Sequence, residues 1–445
     1  MLQTMRNAWK IDDLRHKILF TLVIILLYRL GNAVPVPYVN IDALNGYFAQ
    51  MQNTVLGLLN VMSGGAFSNA TIFALSIQPY INASIIIQLL CIAIPALERM
   101  SKEEGEEGKK KIASITRYTT VAIGLIQGFA YYYMIMKSGF LTADGQGVWA
   151  AIVIILTFTS GSALIMWLGE RITDRGIGNG ISFIILVGII ARLPEALFYE
   201  FVSRLPGETG SQGGLVMFLV EIILLFAVTI GAVLLVQGTR KVPVQYAKRI
   251  VGNRQYGGAR QYIPLKVNAA GVMPIIFAQA IMFVPITLAG FGSDGTGSGF
   301  FAAFSDINGF WYNAVYFILI VAFTYFYTAV TVRPTQMAED MKRNNGFIPG
   351  VKPGKKTAEY LDSIMSRITL PGSLFLGIVA ILPAFARFFG ISQNFAQFFG
   401  GTSLLILVGV VLDTLQQIES HLMMHHYDGL MQGGKIKGRT TGSAY

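Results

Sequence analysis

The chain has 445 residues, of which 53% are hydrophobic and 13% are charged. A soluble globular protein of this length cannot bury so much apolar surface, so the composition excludes that class and indicates a membrane protein. The formal net charge of +10 would suit nucleic-acid binding, but the basic residues lie beside apolar stretches, where membrane orientation explains them first.

Ten apolar stretches are long enough to cross a bilayer as helices, which takes about 20 residues each. They are residues 17–33, 73–96, 118–137, 148–168, 181–199, 214–237, 268–289, 311–332, 369–388 and 402–422. The first stretch lacks a small-residue cleavage site, so we expect a retained span rather than a signal peptide. The sequence predicts an all-α polytopic membrane protein with ten transmembrane helices.

Positive charge alternates between the segments that separate these stretches. Of the 34 Lys and Arg residues, 29 lie in every second segment, and the exceptions are Arg29, Lys137, Arg192, Arg204 and Arg387. Lys and Arg accumulate in cytoplasmic loops. This bias therefore predicts a multi-pass protein of the cell inner membrane with both termini in the cytoplasm.

Residues 55–96 form an apolar tract that is too long for one helix and is interrupted by small and polar residues. Two crossings here would separate the basic N-terminus from the other basic segments. We therefore expect one crossing, preceded by a short segment, about 55–66, that enters from outside without spanning. Such a segment persists at membrane depth only where protein or a water-filled cavity covers it. A helix lying on the outer surface fits the same pattern, and the sequence leaves both alternatives open.

The ten stretches divide into two sets of five, residues 1–212 and 213–445. An odd number of spans in each set gives the two sets opposite orientations. Inverted repeats of this kind place a functional site at their interface near the midplane. The count is compatible with such a repeat and does not establish one.

Motifs of catalysis and metal binding are scarce. His421, His425 and His426 lie near the end of the last stretch without the spacing of a zinc site. The glycine-rich run 175–180 lacks the spacing of a phosphate-binding loop, and it predicts a tight turn between the fourth and fifth stretches. The middles of the spans hold no convincing proton-relay carboxylate, which counts against an ion-coupled transporter. We expect no cofactor, no metal and no enzymatic activity.

The second stretch carries one helical stripe that begins apolar and becomes polar. Ile77, Ile81, Ser84 and Gln88 recur at helical spacing, and Asn82 lies beside them. A pore lining and ordinary packing between helices both fit this stripe. A pair of isoleucines with helical spacing also opens the fifth stretch, with the same two interpretations.

Two segments between stretches are unusually basic. Residues 239–266 hold seven basic and no acidic residues, and residues 333–367 hold seven more around the turn-rich segment 346–354. Because orientation alone requires fewer charges, these segments predict docking surfaces for something acidic or large. A ribosome, a motor protein and anionic lipid all fit that description.

Several phrases, in order along about residues 10–430, closely resemble the SecY family, the central subunits of the bacterial Sec channel. They are residues 78–90, 166–170 leading into 175–182, 264–268, 270–274, 347–350 and 400–406. The resemblance implies a clamshell of two pseudosymmetric inverted halves, hinged between the fifth and sixth spans. It also implies a hydrophobic constriction, a short re-entrant plug helix and a lateral gate to lipid.

The resemblance assigns roles to residues that match the family's motifs. The pore ring would be Ile77, Ile81, Ile181, Ile185, Ile276 and Ile406. The plug would include Leu56, Leu59, Met62, Gly64 and Gly65. The lateral gate would involve Asn82, Gln88, Gln127, Gln279 and Val284. Partner docking would use Lys248, Arg249, Arg254, Arg260 and Lys352. The family has an arginine where Lys352 stands, and lysine lacks the planar two-pronged donor of arginine.

The implied function is a protein-conducting channel that translocates unfolded secretory polypeptides and releases transmembrane helices laterally into the cytoplasmic membrane. The implied partners are SecE and SecG subunits, the SecA ATPase, the ribosome, signal sequences, nascent polypeptides and membrane lipids. A collar of branched apolar side chains suits this task because it blocks ions yet makes no hydrogen bonds with a passing polypeptide. A secondary transporter for a small solute is the alternative, and an intramembrane charge pair would favour it.

Overall fold

The computed structural model is mostly helical. It describes residue 9 and residues 11–433, apart from 51–54, 103–104, 206–213, 247–248, 252–253, 257–259 and 292–305. Up to residue 203, the described helices are α1 (Asp12–Gly31), α2 (Ile41–Gln50), α3 (Val55–Met62), α4 (Gln78–Ala93), α5 (Pro95–Lys102), α6 (Gly105–Lys137), α7 (Val148–Arg175) and α8 (Gly180–Ser203). The predicted boundary between residues 212 and 213 lies outside the described residues.

The remaining elements combine helices with a small amount of sheet. The helices are α9 (Gly214–Gln237), α10 (Met273–Phe291), α11 (Phe310–Thr331), α12 (Pro334–Arg343), α13 (Lys355–Phe388), α14 (Gln393–Ala396) and α15 (Gly401–Gly433). The strands are β1 (Thr239–Tyr246), β2 (Arg249–Val251), β3 (Arg254–Tyr256), β4 (Arg260–Lys266) and β5 (Gly346–Phe347).

Seven described helices are long and apolar enough to cross a membrane, namely α6, α7, α8, α9, α11, α13 and α15. They coincide with seven of the ten predicted spans, so the prediction of a polytopic helical membrane protein is confirmed. Helices α6 and α13 have 33 and 34 residues, which corresponds to about 50 Å each. A hydrocarbon core is about 30 Å thick, so the N-terminal parts of both helices extend beyond it.

The other three predicted spans fall on α1, α4 and α10. The sequence predicts one apolar span over residues 73–96, but α4 begins only at Gln78 and has 16 residues, about 24 Å. The backbone before it includes Ala70 and Ser76 with φ of 41° and 50°, a conformation that a right-handed helix excludes. Pro79 lies in the first turn of α4, where proline is tolerated.

Close packing on α7 explains why this segment is not helical. A Cβ atom added at Gly161 of α7 would lie 2.0 Å from the carbonyl oxygen of Ile72, so the two backbones are in direct contact. The hydroxyl of Ser162 donates a hydrogen bond of 3.1 Å to the carbonyl of Ser76. The hydrogen bond from Ser162 satisfies a backbone carbonyl that a continuous helix would have satisfied internally.

The main apolar core joins helices from both ends of the chain. Its buried members come from α1, α4, α7, α8, α10, α13, α14 and α15, together with the segments before α4 and α14 and the turn after α14. A second core lies among α9, α10, α11, α13 and α15, and a third involves α2, α6 and α7. Exposed apolar residues on α1, α6 and α9 are expected where helices face lipid.

The two basic segments form one body. Strands β4, β1 and β5 make an antiparallel sheet in that order, with Gln245 opposite Phe347 and Tyr246 opposite Gly346. Strands β2 and β3 pair as a separate hairpin between β1 and β4. Under the sheet, buried Val242 and other apolar side chains from β1 and β4 pack against α12 and α13.

Candidate functional site

All six isoleucines assigned to the pore ring lie in the main apolar core. Four are buried, with exposed fractions of 2% for Ile77, 8% for Ile81, 4% for Ile185 and 2% for Ile406. The other two, Ile181 and Ile276, are partly buried against the same core.

These isoleucines come from elements far apart in the sequence. Ile77 immediately precedes α4 and Ile81 lies in its first turn, while Ile181 and Ile185 open α8. Ile276 is in the first turn of α10, and α15 supplies the sixth. The structure therefore gathers branched apolar side chains from four helices, two in each half of the chain.

The segment assigned to the plug is the short helix α3 and the turn that follows it. Leu56 and Leu59 are half-buried, and the side chain of Met62 lies outside the described part of the structure. The hydroxyl of Ser63 donates to the carbonyl of Asn60 at 3.0 Å, which closes the helix end. Helix α3 packs on α8, the helix that carries two of the ring isoleucines.

Two arginines fix the glycines of this turn. Gly64 and Gly65 have φ of 67° and 89°, a region that favours glycine. A Cβ atom at Gly65 would lie 2.0 Å from Nη2 of Arg192, and one at Gly64 would lie 3.3 Å from Nη1 of Arg29. Nη2 of Arg29 donates to the carbonyl of Val187 on α8 at 2.8 Å. The positive φ at both positions is therefore the main reason for glycine here.

The gate residues of the first half lie on α4 and α6, which pack together. Asn82 and Gln127 are half-buried, and Gln88 is exposed. Nε2 of Gln88 donates to the hydroxyl of Ser84 on the same helix at 3.4 Å, so this hydrogen bond does not cross between helices.

The gate residues of the second half lie on α10, which packs on α11. Gln279 is buried, with 8% of its surface exposed. Val284 is in the same helix, but its side chain is outside the described part. Helices α4 and α10 both contribute to the main core, with Ile85 from α4 and Phe277 from α10.

The docking residues occupy the basic body. Lys352 is exposed in the turn between β5 and α13. Arg249, Arg254 and Arg260 lie in β2, β3 and β4, and their side chains are outside the described part. Lys248 is also outside it. The sequence did not indicate the sheet that joins the two segments, although alternate burial along β1 is the period-two pattern of a strand.

The glycine-rich run forms the predicted tight turn. Helix α7 ends at Arg175 and α8 begins at Gly180, with Gly178 at φ 82°. The side chain of Asn179 caps α8 by accepting from the N–H groups of Ile181 and Ser182 at 3.1 and 3.3 Å. Among the described residues, no group of three or more His, Cys, Asp and Glu side chains is placed to hold a metal ion.

A buried ionic cluster, which sequence reasoning missed, joins α8 and α9. Nε of Arg204 donates to Oε1 of Glu200 at 3.0 Å, and Nη2 donates to Oε1 of Glu221 at 2.6 Å. The three side chains are 4%, 1% and 2% exposed. The i, i+4 spacing of Glu200 and Arg204 was a readable signal. The third member was not readable, because its contact depends on how the helices pack.

This cluster does not support a solute transporter. Glu200 and Arg204 lie beyond the end of the predicted span 181–199. A transport pathway needs ionisable groups that face a water-filled route. Here the charged groups are buried and bound to one another, which is the arrangement of a structural contact.

Comparisons with known proteins agree with this architecture. The SecY family profile matches residues 71–415. The protein translocase subunit SecY of Mycobacterium tuberculosis is 43% identical over 452 residues, covering 97% of this chain and all of the relative. The corresponding subunit of Streptomyces coelicolor is 43% identical over 447 residues, with the same coverage of both chains.

Two solved structures share the fold. One, described as "The structure of a protein conducting channel", has a TM-score of 0.63 and 17% identity, and the match covers 95% of each chain. The other is Sec61 in a canine ribosome-channel complex, with a TM-score of 0.60, 17% identity and the same coverage. Given the extent of the profile match and the near-complete coverage of relatives at 43% identity, the chain belongs to the SecY family.

Proposed function

We propose that this chain is the channel subunit of a protein translocase in the inner membrane. It moves unfolded secretory polypeptides across the bilayer and releases transmembrane helices sideways into lipid. The observation that carries this proposal is the single apolar core in which α4, α8, α10 and α15 place six isoleucines. A constriction of that kind dewets and blocks ions, yet it offers a passing polypeptide no hydrogen bonds that would hold it.

The full architecture belongs to the same proposal. Helices α1, α4 and α10 complete a set of ten spans, and residues 1–212 and 213–445 are inverted halves hinged between α8 and α9. Helix α1 has 20 residues, about 30 Å, which matches the hydrocarbon thickness. The alternation of basic segments supports both termini in the cytoplasm.

In this scheme α3 is the plug. Its packing on α8 supports a position next to the ring, and the contacts of Gly64 and Gly65 with Arg29 and Arg192 support a defined seat. A short helix held this way closes the outer side of the constriction. Displacing it requires only that these local contacts break, because α3 has eight residues.

Helices α4 and α10, flanked by α6 and α11, form the lateral gate. The surfaces that both helices bury are apolar, since Ile85 of α4 and Phe277 of α10 lie in the main core. When the two helices part, an apolar segment of the passing chain partitions into lipid, driven by the transfer free energies that define membrane spans. Asn82 and Gln279 are the polar contacts that tune this step.

The basic body is the cytoplasmic docking surface for the SecA ATPase and the ribosome. Basic side chains such as Arg240, Lys266 and Lys352 are exposed. They attract acidic partners, and the association rate should fall as the salt concentration rises. The sheet and the packing beneath it hold these charges in one fixed arrangement. SecE and SecG are the companion subunits within the bilayer.

Reconstitution tests the proposal directly. The chain is co-purified with SecE-type and SecG-type subunits, placed in liposomes and supplied with SecA, ATP and a secretory precursor. We expect ATP-dependent protection of the precursor from added protease, and no protection of the same protein without its signal sequence. If the assembled complex protects no precursor but carries a solute flux, the chain is a transporter.

A further inference from the structure

The three charged side chains that are buried within the described part of the chain all belong to the cluster of Glu200, Arg204 and Glu221. Four hydrogen bonds converge there. Besides the two ion pairs, Nη2 of Arg204 donates to the carbonyl of Gly390 at 2.9 Å. The N–H of Ser392 donates to Oε2 of Glu200 at 3.1 Å. Both carboxylates therefore have partners on other elements.

These bonds connect the two halves of the chain. Glu200 and Arg204 end α8, the last helix of the first half, and Glu221 lies in α9, the first helix of the second half. The rings of Phe201 and Phe218 meet beside them at 5.5 Å in a T-shaped arrangement. The outer ends of α8 and α9 are thus joined by charge and by aromatic packing.

The inner end of the same side carries another polar connection. The N–H of Gly178, in the turn before α8, donates to Oε1 of Gln417 on α15 at 3.0 Å. Leu14 and Ile177 from the first half pack there against Ile418 from the second. Helix α8 is therefore bound to the second half of the chain near both of its ends.

The boundary between α8 and α9 differs in its chemistry from the apolar surfaces of α4 and α10: it contains charged groups, and their hydrogen bonds are directional. Apolar contacts are non-directional, so two surfaces slide or part without leaving an unsatisfied group. A buried ion pair instead fixes distance and angle, and losing one partner leaves an uncompensated charge away from water. Parting α8 from α9 would separate the buried side chain of Glu221 from that of Arg204.

We propose that Glu200, Arg204 and Glu221 form an outer clasp that holds the two halves together on the hinge side. Because the clasp keeps the outer ends of α8 and α9 in place, opening of the channel is confined to the seam between α4 and α10. Arg204 acts as a positioning residue for both carboxylates. This inference rests on the proposed channel function, but the clasp itself is measurable without a translocation assay.

The test measures the separation of α8 and α9 at their outer ends. Exposed Phe198 and Leu219 are replaced by cysteine in a chain with Cys91→Ser, and spin labels report their distance by pulsed electron resonance in nanodiscs. We expect one narrow distance for the parent. Arg204→Met leaves two buried carboxylates without their cation, so the population with longer distances should rise roughly 100-fold. Resting ion conductance in planar bilayers should rise with it.

A second variant covers the case in which Arg204→Met fails to fold. The triple variant Glu200→Gln, Arg204→Met, Glu221→Gln leaves no unpaired charge, but it loses the ionic geometry. It should therefore fold and show a broadened distance and a raised resting conductance. Lys137→Met is the matched control, because it removes an exposed positive charge and should leave both measurements at the parent's values.

The outcomes are distinguishable. If the folded triple variant keeps the narrow distance, or if its distance broadens while conductance stays at the parent's value, the clasp does not confine opening and the inference is wrong. If the parent fails to translocate a precursor while the distances respond as expected, the proposed function is wrong and the contact between helices stands.

Discussion

Polar substitution in the ring is the sharpest test of the seal. Ile81→Ser together with Ile276→Ser places one hydroxyl on each half of the chain at the predicted constriction. Ile81 is 8% exposed and Ile276 is partly buried in the same core, so both side chains contribute apolar surface that excludes water. We expect the closed channel to conduct ions and to admit precursors with weakened signal sequences.

The size of the effect follows from the atoms removed. Each replacement deletes about three apolar carbon groups, worth ~0.8 kcal/mol apiece on transfer from water, or about 5 kcal/mol for the pair. If all of this appeared in the balance between a dry and a wetted ring, the wetted fraction would rise by roughly 4 × 10³-fold. Partial exposure of Ile276 makes that figure an upper bound.

Single-channel recording in planar bilayers, without a precursor, measures the resting conductance. The matched control is Ile165→Ser with Ile189→Ser, two fully buried positions of the same core outside the assigned ring. This control should lose a similar amount of folding stability, about 2–5 kcal/mol per site, without opening an ion path. The ring assignment is refuted if the variant with Ile81→Ser and Ile276→Ser is folded and inserted but keeps the parent's resting conductance. It is also refuted if the control variant conducts ions equally well.

Three further predictions use the other assigned elements. Lys352→Glu should lower SecA-driven translocation severalfold and Lys352→Arg should not, because the exposed side chain acts through its charge. If SecA docks equally well on both variants, the charge of this loop serves only to set membrane orientation. Gly65→Ala should raise resting conductance, because an alanine at φ 89° is strained and its Cβ would displace the guanidinium of Arg192. Gly46→Ala, which has open space, should not, and equal conductance from the two variants would count against the plug. In a cysteine-free background, Asn82→Cys and Val284→Cys should form a disulfide that blocks secretion until it is reduced. Formation of this disulfide requires the two Cα atoms to lie within ~7 Å. If the crosslinked protein secretes normally, α4 and α10 do not form the gate.

Hydropathy and charge were enough to predict much of this fold. Seven of the predicted spans are helices that meet the length and composition of a membrane crossing, because a bilayer demands long apolar helices whatever their neighbours are. The prediction was weakest at 73–96. The late start of α4 depends on the backbone contact between Gly161 and Ile72, which no local pattern records.

For the candidate site, too, the sequence predicted the residues that family motifs carry and missed the contacts that depend on tertiary packing. Family motifs named the six isoleucines, and the structure gathers them into one core. Local patterns did not reveal that β5 adds to β1, because a strand of two residues has no periodicity. The contact of Arg204 with Glu221 links residues on separate helices, so the sequence showed the i, i+4 half of the cluster and not the whole.

The two helix boundaries of the proposed channel differ in chemistry. The gate proposed between α4 and α10 is apolar, whereas the boundary between α8 and α9 contains an ionic cluster. At the gate proposed between α4 and α10, lipid tails can replace apolar packing almost without loss, since hydrocarbon is as apolar as isoleucine. Parting this seam therefore costs little, and a passing apolar helix can take the place of either partner. The partners of Arg204 are not replaced in the same way, because removing one partner of a buried ion pair costs about 3–5 kcal/mol. In the proposed channel, the apolar gate would therefore part more readily than the ionic clasp, and this difference would set the direction of opening.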